Sequence, residues 1–277
     1  MDAAGAEWLI HRGVDVLLLG PIRGRLMPPS ARIEEGVAGQ PGARLRSVRD
    51  ASRDVALSKF FFAPDAQTQE ASLRAWAWRL DPKRGDGRLR ATGADGGQRE
   101  LDCRYQSGLE GDEERATWHR AVVVVRATDP YWYDTADIVN TYVSGGTPPA
   151  FFPFFPLRLS SSSVFASPVV VNDGDVEAWP VWTIVGPGSA IVLRNLTVGS
   201  VLSLPVTLGV DEAVTIDTRP GVKTVRNSSG LSLFGSLTWD SALAALVKGP
   251  NTLALEMSGA TPASSIMLSY RRRFLTC

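Results

Sequence analysis

The sequence predicts a mainly β protein of two domains, an N-terminal β domain carrying one α-helix and a C-terminal β-sandwich, and three observations lead there. One stretch alone, near residues 65–80, has convincing helical apolar spacing. Period-two alternation and turn residues mark much of the remainder. The surface also changes along the chain: the 160 residues before Ser161 carry 42 charges, 21 of each sign, whereas the 117 from Ser161 onward carry 16, eight of each sign. At 277 residues and 29.8 kDa the chain is long enough for two cores.

The start, Met1 to Arg12, holds Asp2 and Glu7 and no basic segment leading into an apolar core, so no secretory signal is expected. The longest apolar runs, Val14 to Leu19 and Ala121 to Val125, fall far below the roughly 20 residues of a membrane span. The predicted helix runs from about Asp65 to Leu80, between Pro64 and Asp81-Pro82, with Asp65 or Thr68 as cap. Leu73, Trp76, Ala77 and Leu80 give it one apolar stripe, which should lie against a sheet. Leu101, Cys103 and Tyr105 alternate with Glu100, Asp102 and Arg104, as strands with one wet face do. In Trp118 to Ala127 the apolar face is His119, Ala121, Val123 and Val125, opposite Arg120 and Arg126. Gly93 to Gly97 and Gly108 to Glu114 read as hairpin loops between these strands.

Ser144 to Ser163 is rich in Pro, Gly and Ser but also holds Phe151, Phe152, Phe154 and Phe155, so it reads as a connector that packs onto something. The expected organisation is an N-terminal domain over residues 1–150, a connector over 151–163 and a sandwich over 164–277. Strands are expected in the sandwich at Pro168 to Val171, Trp179 to Val185, Ile191 to Leu196, Ala213 to Asp217, Thr252 to Met257 and Ile266 to Arg272. Turns are expected at Asn172 to Gly174, Gly186 to Gly188, Arg219 to Gly221, Asn227 to Gly230 and Lys248 to Asn251. The short, evenly spaced strands suit a jelly-roll-like antiparallel sandwich.

Lys plus Arg and Asp plus Glu number 29 each, which disfavours binding of nucleic acid or an anionic membrane by bulk charge. Cys103 and Cys277 cannot make a disulfide framework and read as free thiols. His11 and His119 are the two histidines; His119, on an apolar strand face, reads as a core or interface residue rather than a base. No zinc spacing is present, and Asn172-Asp173-Gly174-Asp175 reads as a turn before it reads as a calcium loop. Dinucleotide, phosphate-loop and nucleophile-elbow motifs are missing, while paired carboxylates leave an enzyme open. Trp179, Trp182 and Trp239 are candidates for stacking on sugar, although their apolar flanks suit a core equally.

The second half then shows Asn172-Asp173-Gly174-Asp175, Trp179 to Ile184 followed by Gly186, Ile216-Asp217-Thr218, Leu237-Thr238-Trp239 and Gly249-Pro250-Asn251-Thr252-Leu253, in that order. The first half has Thr128-Asp129-Pro130-Tyr131-Trp132-Tyr133 after its Val-rich strand. This series resembles the distal tail protein (Dit) family of long-tailed bacteriophages, with Gly249-Pro250-Asn251 standing where that family has Pro-Gly-Asn. The positions that carry the resemblance are Asp129, Pro130, Trp132, Asn172, Gly174, Pro180, Asp217, Trp239, Gly249 and Asn251.

The resemblance implies N-terminal domains that close into a hexameric ring continuing the tail tube, with galectin-like sandwiches projecting outward. Implied partners are the tail tube protein, the tail hub or tail-associated protein, the tape measure and receptor-binding proteins. DNA would pass through the lumen without specific binding, and no membrane insertion, catalytic residue, cofactor or metal is implied. The location would be the tail tip of a virion, after synthesis in the host cytoplasm. The alternative is a carbohydrate-binding β-sandwich protein of a cell surface or virion.

Overall fold

The computed structural model describes residues 15–39, 41–93, 96–111, 113–144 and 164–277. The Phe-rich connector of residues 145–163 and His11 lie outside the described residues. The chain forms two compact units. Unit 1 runs to Thr135 and takes back Phe274–Cys277, and unit 2 is Ala136–Arg273. The division thus falls at Thr135–Ala136 rather than at residue 150. The physical reason is that Ile138–Val143 pairs residue for residue with Ser265–Tyr270, inside the C-terminal unit.

Unit 1 contains β1 (Val16–Leu18), β2 (Ser30–Gly36), β3 (Ala43–Asp50), β4 (Arg53–Phe62), α1 (Ala66–Leu80), β5 (Gly87–Thr92), β6 (Gln98–Ser107), β7 (Glu113–Arg115), β8 (Trp118–Ala127) and β9 (Trp132–Asp134). The main sheet has the order β1-β4-β8-β6-β9, with β5 on β6 and β7 on β8. β2 and β3 form a separate two-stranded ribbon. The expected alternation holds in β8, whose His119, Ala121, Val123 and Val125 are buried. In β6, Leu101 and Cys103 are buried, and so is Glu100, which pairs with Arg90 at 2.8 Å.

Asp65 caps α1, accepting hydrogen bonds from the Thr68 amide at 2.8 Å and the Thr68 hydroxyl at 2.9 Å; the Thr68 bonds hold its carboxyl below the usual range. Asp81-Pro82 ends the helix, because a residue before proline is driven out of the helical region. α1 lies against the sheet through Trp76, whose ring meets Phe61 edge-on at 5.5 Å. Ala77, expected in the buried stripe, is exposed. Leu73 and Leu80 are half-buried on the same side of the helix.

Unit 2 contains β10 (Ile138–Val143), β11 (Val164–Ala166), β12 (Val169–Asn172), β13 (Val181–Val185), β14 (Gly188–Asn195), β15 (Ser200–Leu208), β16 (Ala213–Asp217), β17 (Thr224–Asn227), β18 (Gly249–Ser258) and β19 (Ser265–Tyr270). One sheet is β10-β19-β13-β16-β17; the other is β11-β18-β14-β15 with β12 also on β18. All ladders in both are antiparallel. Trp182, Ile216 and Leu268 face Leu193, Leu202 and Leu255 in one core. Burying each such side chain stabilises by about 1.5–3 kcal/mol. β15 carries Pro205 in its interior, which is tolerated because β15 is an edge strand and Pro205 falls at a register shift. Lys248 to Asn251 was expected as a turn; instead Gly249, Pro250 and Asn251 open β18 and pair with Asn172, Val171 and Val170.

β4 departs from a plain amphipathic strand. Arg53, Val55, Leu57, Lys59 and Phe61 take its buried face, so two basic residues lie where alternation calls for apolar ones. Lys59 is 1% exposed, its ammonium lies 5.6 Å from the Trp76 ring centre, and burial pushes its pKa down to about 7. Between that value and the unfolded lysine value near 10.4, the unfolded chain binds more protons, so stability rises with pH. Unfolding measured at pH 7 and pH 10 should show the wild type gaining about 3 kcal/mol relative to Lys59→Met across that window. Equal pH dependence in the two proteins would contradict a buried, neutralising Lys59.

Candidate functional site: a two-faced hairpin and its anchor

The β2–β3 hairpin is exposed on both faces along nearly its whole length. Ile33 is 55% exposed, and Leu45 and Val48 are 53% exposed. A two-stranded ribbon with no covered face is marginal in water, so such a ribbon needs either a firm base or a partner. Cross-strand partners share a face, and the register pairs Ile33 with Ser47 and Glu35 with Arg44. Arg46, at the register shift, forms an ion pair with Glu35.

The base is firm. The Ala51 amide donates to the Pro29 carbonyl at 2.7 Å, closing the ribbon. Beside it Arg53, 0% exposed, donates to the carbonyls of Gly24 at 3.3 Å, Arg25 at 3.1 Å and Leu275 at 2.7 Å. Burial lowers the pKa of this guanidinium, which remains the cation to which those carbonyls are oriented. Gly24 has φ +79, and a Cβ there would stand 2.0 Å from the Asp54 carbonyl oxygen, so the loop can approach only as glycine.

The Asp129, Pro130 and Trp132 segment belongs to the same anchor. Trp132 is 1% exposed and its indole donates to the Arg25 carbonyl at 3.2 Å. Asp129 accepts from the Tyr131 amide at 3.3 Å and from the Tyr133 hydroxyl, while Pro130 is buried. Tyr131 extends to the hairpin itself, donating to Asp50 at 2.5 Å. One turn therefore holds the Gly24–Arg25 loop on one side and the end of β3 on the other.

In unit 2 the expected motif positions divide. Asn172, 0% exposed, donates to the Val176 and Leu246 carbonyls and accepts from the Gly174 amide at 3.0 Å. Gly174 leaves no room for a Cβ, which would sit 2.8 Å from the Arg273 carbonyl oxygen. Asn251 accepts from Asn195 at 3.1 Å and the Val247 amide at 3.0 Å, and donates to the Val247 and Gly249 carbonyls. The Pro180 carbonyl accepts from the Thr218 hydroxyl at 2.6 Å. Burial works to raise the Asp217 carboxyl, but hydrogen bonds and charge from Arg219 hold it below the usual range. These residues brace turns. Trp239 is different: it is 98% exposed, whereas Trp182 is core and Trp179 half-buried.

His119 is 3% exposed and its Nε2 donates to the Leu109 carbonyl at 2.7 Å. Cys103 is a buried free thiol pushed up to about 12 by burial, and Cys277 is a half-buried one. Asp175 lies 3.7 Å from Lys248, and among the described residues no group of three or more His, Cys, Asp or Glu is placed to hold a metal ion. No helix among the described residues is long and apolar enough to cross a membrane. Arg53, Gly24 and the hairpin escape sequence reasoning. The alternation of β3 and the glycines at 39 and 42 are the signal by which the hairpin could have been found.

Residues 173–274 match the family described as siphovirus-type tail component, C-terminal domain. The structure of the Dit protein of phage SPP1, described as a paradigm of the hub adsorption apparatus in phages infecting Gram-positive hosts, is similar with a TM-score of 0.66 at 16% identity, over 93% of each chain. Two structures of the phage P2 baseplate in its activated conformation, with Ca and with Sr, give TM-scores of 0.54 and 0.55 at 11% identity, over 98% of this chain and 94% of theirs. No curated protein sequence matches the chain.

By class, then, the fold is that of phage tail-tip proteins, a two-unit, mainly β architecture with one helix. Residues 173–274 thus match the family of siphovirus-type tail components, and over 93% of the chain the fold is similar to that of the SPP1 Dit protein.

Urea unfolding checks the assigned bracing roles. Arg53→Met, which removes the buried donor shared by three carbonyls, should destabilise unit 1 by on the order of 3 kcal/mol, and Trp132→Phe by about 1 kcal/mol. In unit 2, Asn251→Ala should cost about 3 kcal/mol, whereas Trp239→Ala should stay within about 0.5 kcal/mol of wild type. A Trp239→Ala loss as large as that of Asn251→Ala would show that Trp239 packs in the fold.

Proposed function

We propose that the protein is a tail-tip adaptor: six copies close into a ring through unit 1, join the tail tube to the hub that carries the adsorption apparatus, and leave a lumen for DNA. The observation that carries this is the β2–β3 hairpin, rigidly based yet exposed on both faces, which is how an arm awaiting a neighbouring copy is built. The likeness to the SPP1 Dit protein and to the P2 baseplate supports the same reading. In it, unit 2 meets receptor-binding proteins, the tape measure and then DNA traverse the lumen, and the particle is built in the host cytoplasm. The adaptor acts by shape, and the braced turns around Asn172, Pro180 and Asp217, with the Asn251 bonds at the start of β18, serve to keep the sandwich rigid. The exposure of Trp239 favours a second reading, in which unit 2 also contacts sugar by stacking.

Light scattering and electron microscopy of the purified chain, alone and with tail tube and hub proteins, test the adaptor. Annular particles of sixfold mass are expected, and deletion of residues 30–50 should leave folded single chains. Solitary chains even with both neighbours supplied would refute the ring. A glycan array tests the second reading: binding that Trp239→Ala abolishes would support it, and an array without binding would end it.

A further inference from the structure

A groove of about 790 Å³ runs along one flank of α1 in unit 1. Its floor is apolar, formed by Leu73, Ala77, Leu80, Tyr105 and Leu109. Its rim is acidic: Glu70, Asp81 and Glu110 stand against Arg74, which is already paired with Glu70 at 2.7 Å. The rim therefore carries two negative charges in excess, over an apolar floor. Such a surface suits a strand or ribbon that brings positive charge together with an apolar side chain.

The same chain carries that ribbon. Ala31, Ile33 and Glu35 of β2 share one face of the hairpin with their partners Arg49, Ser47 and Arg44, and Arg46 joins them through its ion pair with Glu35. That face has Ile33 among three arginines and one glutamate, two positive charges in excess. The opposite face, with Arg32, Glu34 and Asp50, has one negative charge in excess. Because the hairpin is exposed on both faces, it is not seated in the groove of its own chain.

We infer that the basic face of the hairpin of one copy docks in the α1 groove of the next copy, with Ile33 over the apolar floor and Arg44 and Arg49 against Glu70 and Glu110. The contact joins two different surfaces of identical chains, so it is head-to-tail and closes into a ring when the rotation between copies closes. This deepens the ring reading and rests on it.

The test is a charge exchange in the full chain. One variant carries Arg44→Glu and Arg49→Glu; the other carries Glu70→Lys and Glu110→Lys. Alone, each sets like charges face to face, and half-assembly should require on the order of tenfold or more protein than wild type. Mixed in equal amounts the two should assemble again, since every hairpin then meets a groove of opposite sign; this rescue also proves both folded. A second measurement needs no variant: raising salt from about 0.05 to about 0.5 M should loosen wild-type assemblies. Variants that assemble as wild type does, or a mixture of two folded variants that stays apart, would overturn the docking while leaving the ring intact. Should a variant misfold, wild-type assembly indifferent to salt overturns it. Wild-type chains that never assemble would remove ring and docking together.

Discussion

The guanidinium of Arg53 organises unit 1. It is fully buried, and its terminal NH groups donate to the carbonyls of Gly24 and Arg25 in one loop and of Leu275 near the C-terminus, two segments far apart in the sequence. An arginine so placed is a poor source of net stability, because it leaves water to make these bonds. What it supplies is uniqueness: the carbonyls must converge on one point, and any other path of the loop or the tail leaves a buried charge without its acceptors. The indole of Trp132 reinforces the choice by donating to the Arg25 carbonyl, and Tyr131 ties the same turn to Asp50 at the foot of the hairpin. The arm that projects from unit 1 is thus aimed by buried polar bonds beneath it.

Unit 2 reaches rigidity differently. Its core is a plain apolar interior between two sheets, and its specificity lies in the turns. Asn172, Asn195 and Asn251 are buried amides whose side chains bond to backbone or to one another, so the loops they hold cannot slide without orphaning a buried donor or acceptor. Gly174 supplies the close approach that such a turn needs. Rigidity at the ends of the sandwich thus comes from polar bonds, while its middle is held by apolar packing.

Much of this was legible in the chain. The helix α1, with its Asp65 cap and proline stop, follows from local chemistry and appears as expected. Several strands of unit 2 do too, because period-two burial writes itself into Trp182 and Ile184 or Leu253 and Leu255. The failures have physical causes. Gly249-Pro250-Asn251 has turn composition, yet pairing with β12 draws it into a strand. β10 lies within the residues 1–150 expected as the N-terminal domain, because its partner β19, more than a hundred residues away, leaves no local trace. Arg53 and Lys59 lie on a buried face where sequence reasoning expects Val or Ile, and only the tertiary fold shows what surrounds them. The motif residues Asp129, Trp132, Asn172 and Asn251 were visible as positions, but their bonds were not.

Unit 1 is interrupted by unit 2 in the chain, since Phe274–Cys277 returns to it after Arg273. On the ribosome, residues 274–277 emerge only after the whole sandwich has been made, so Arg53 waits for the Leu275 carbonyl through the synthesis of more than two hundred residues. The body that aims the arm is therefore completed later than the sandwich inserted within it. The anchor of the hairpin is therefore finished only when the last residues of the chain have left the ribosome, after the sandwich has been synthesised.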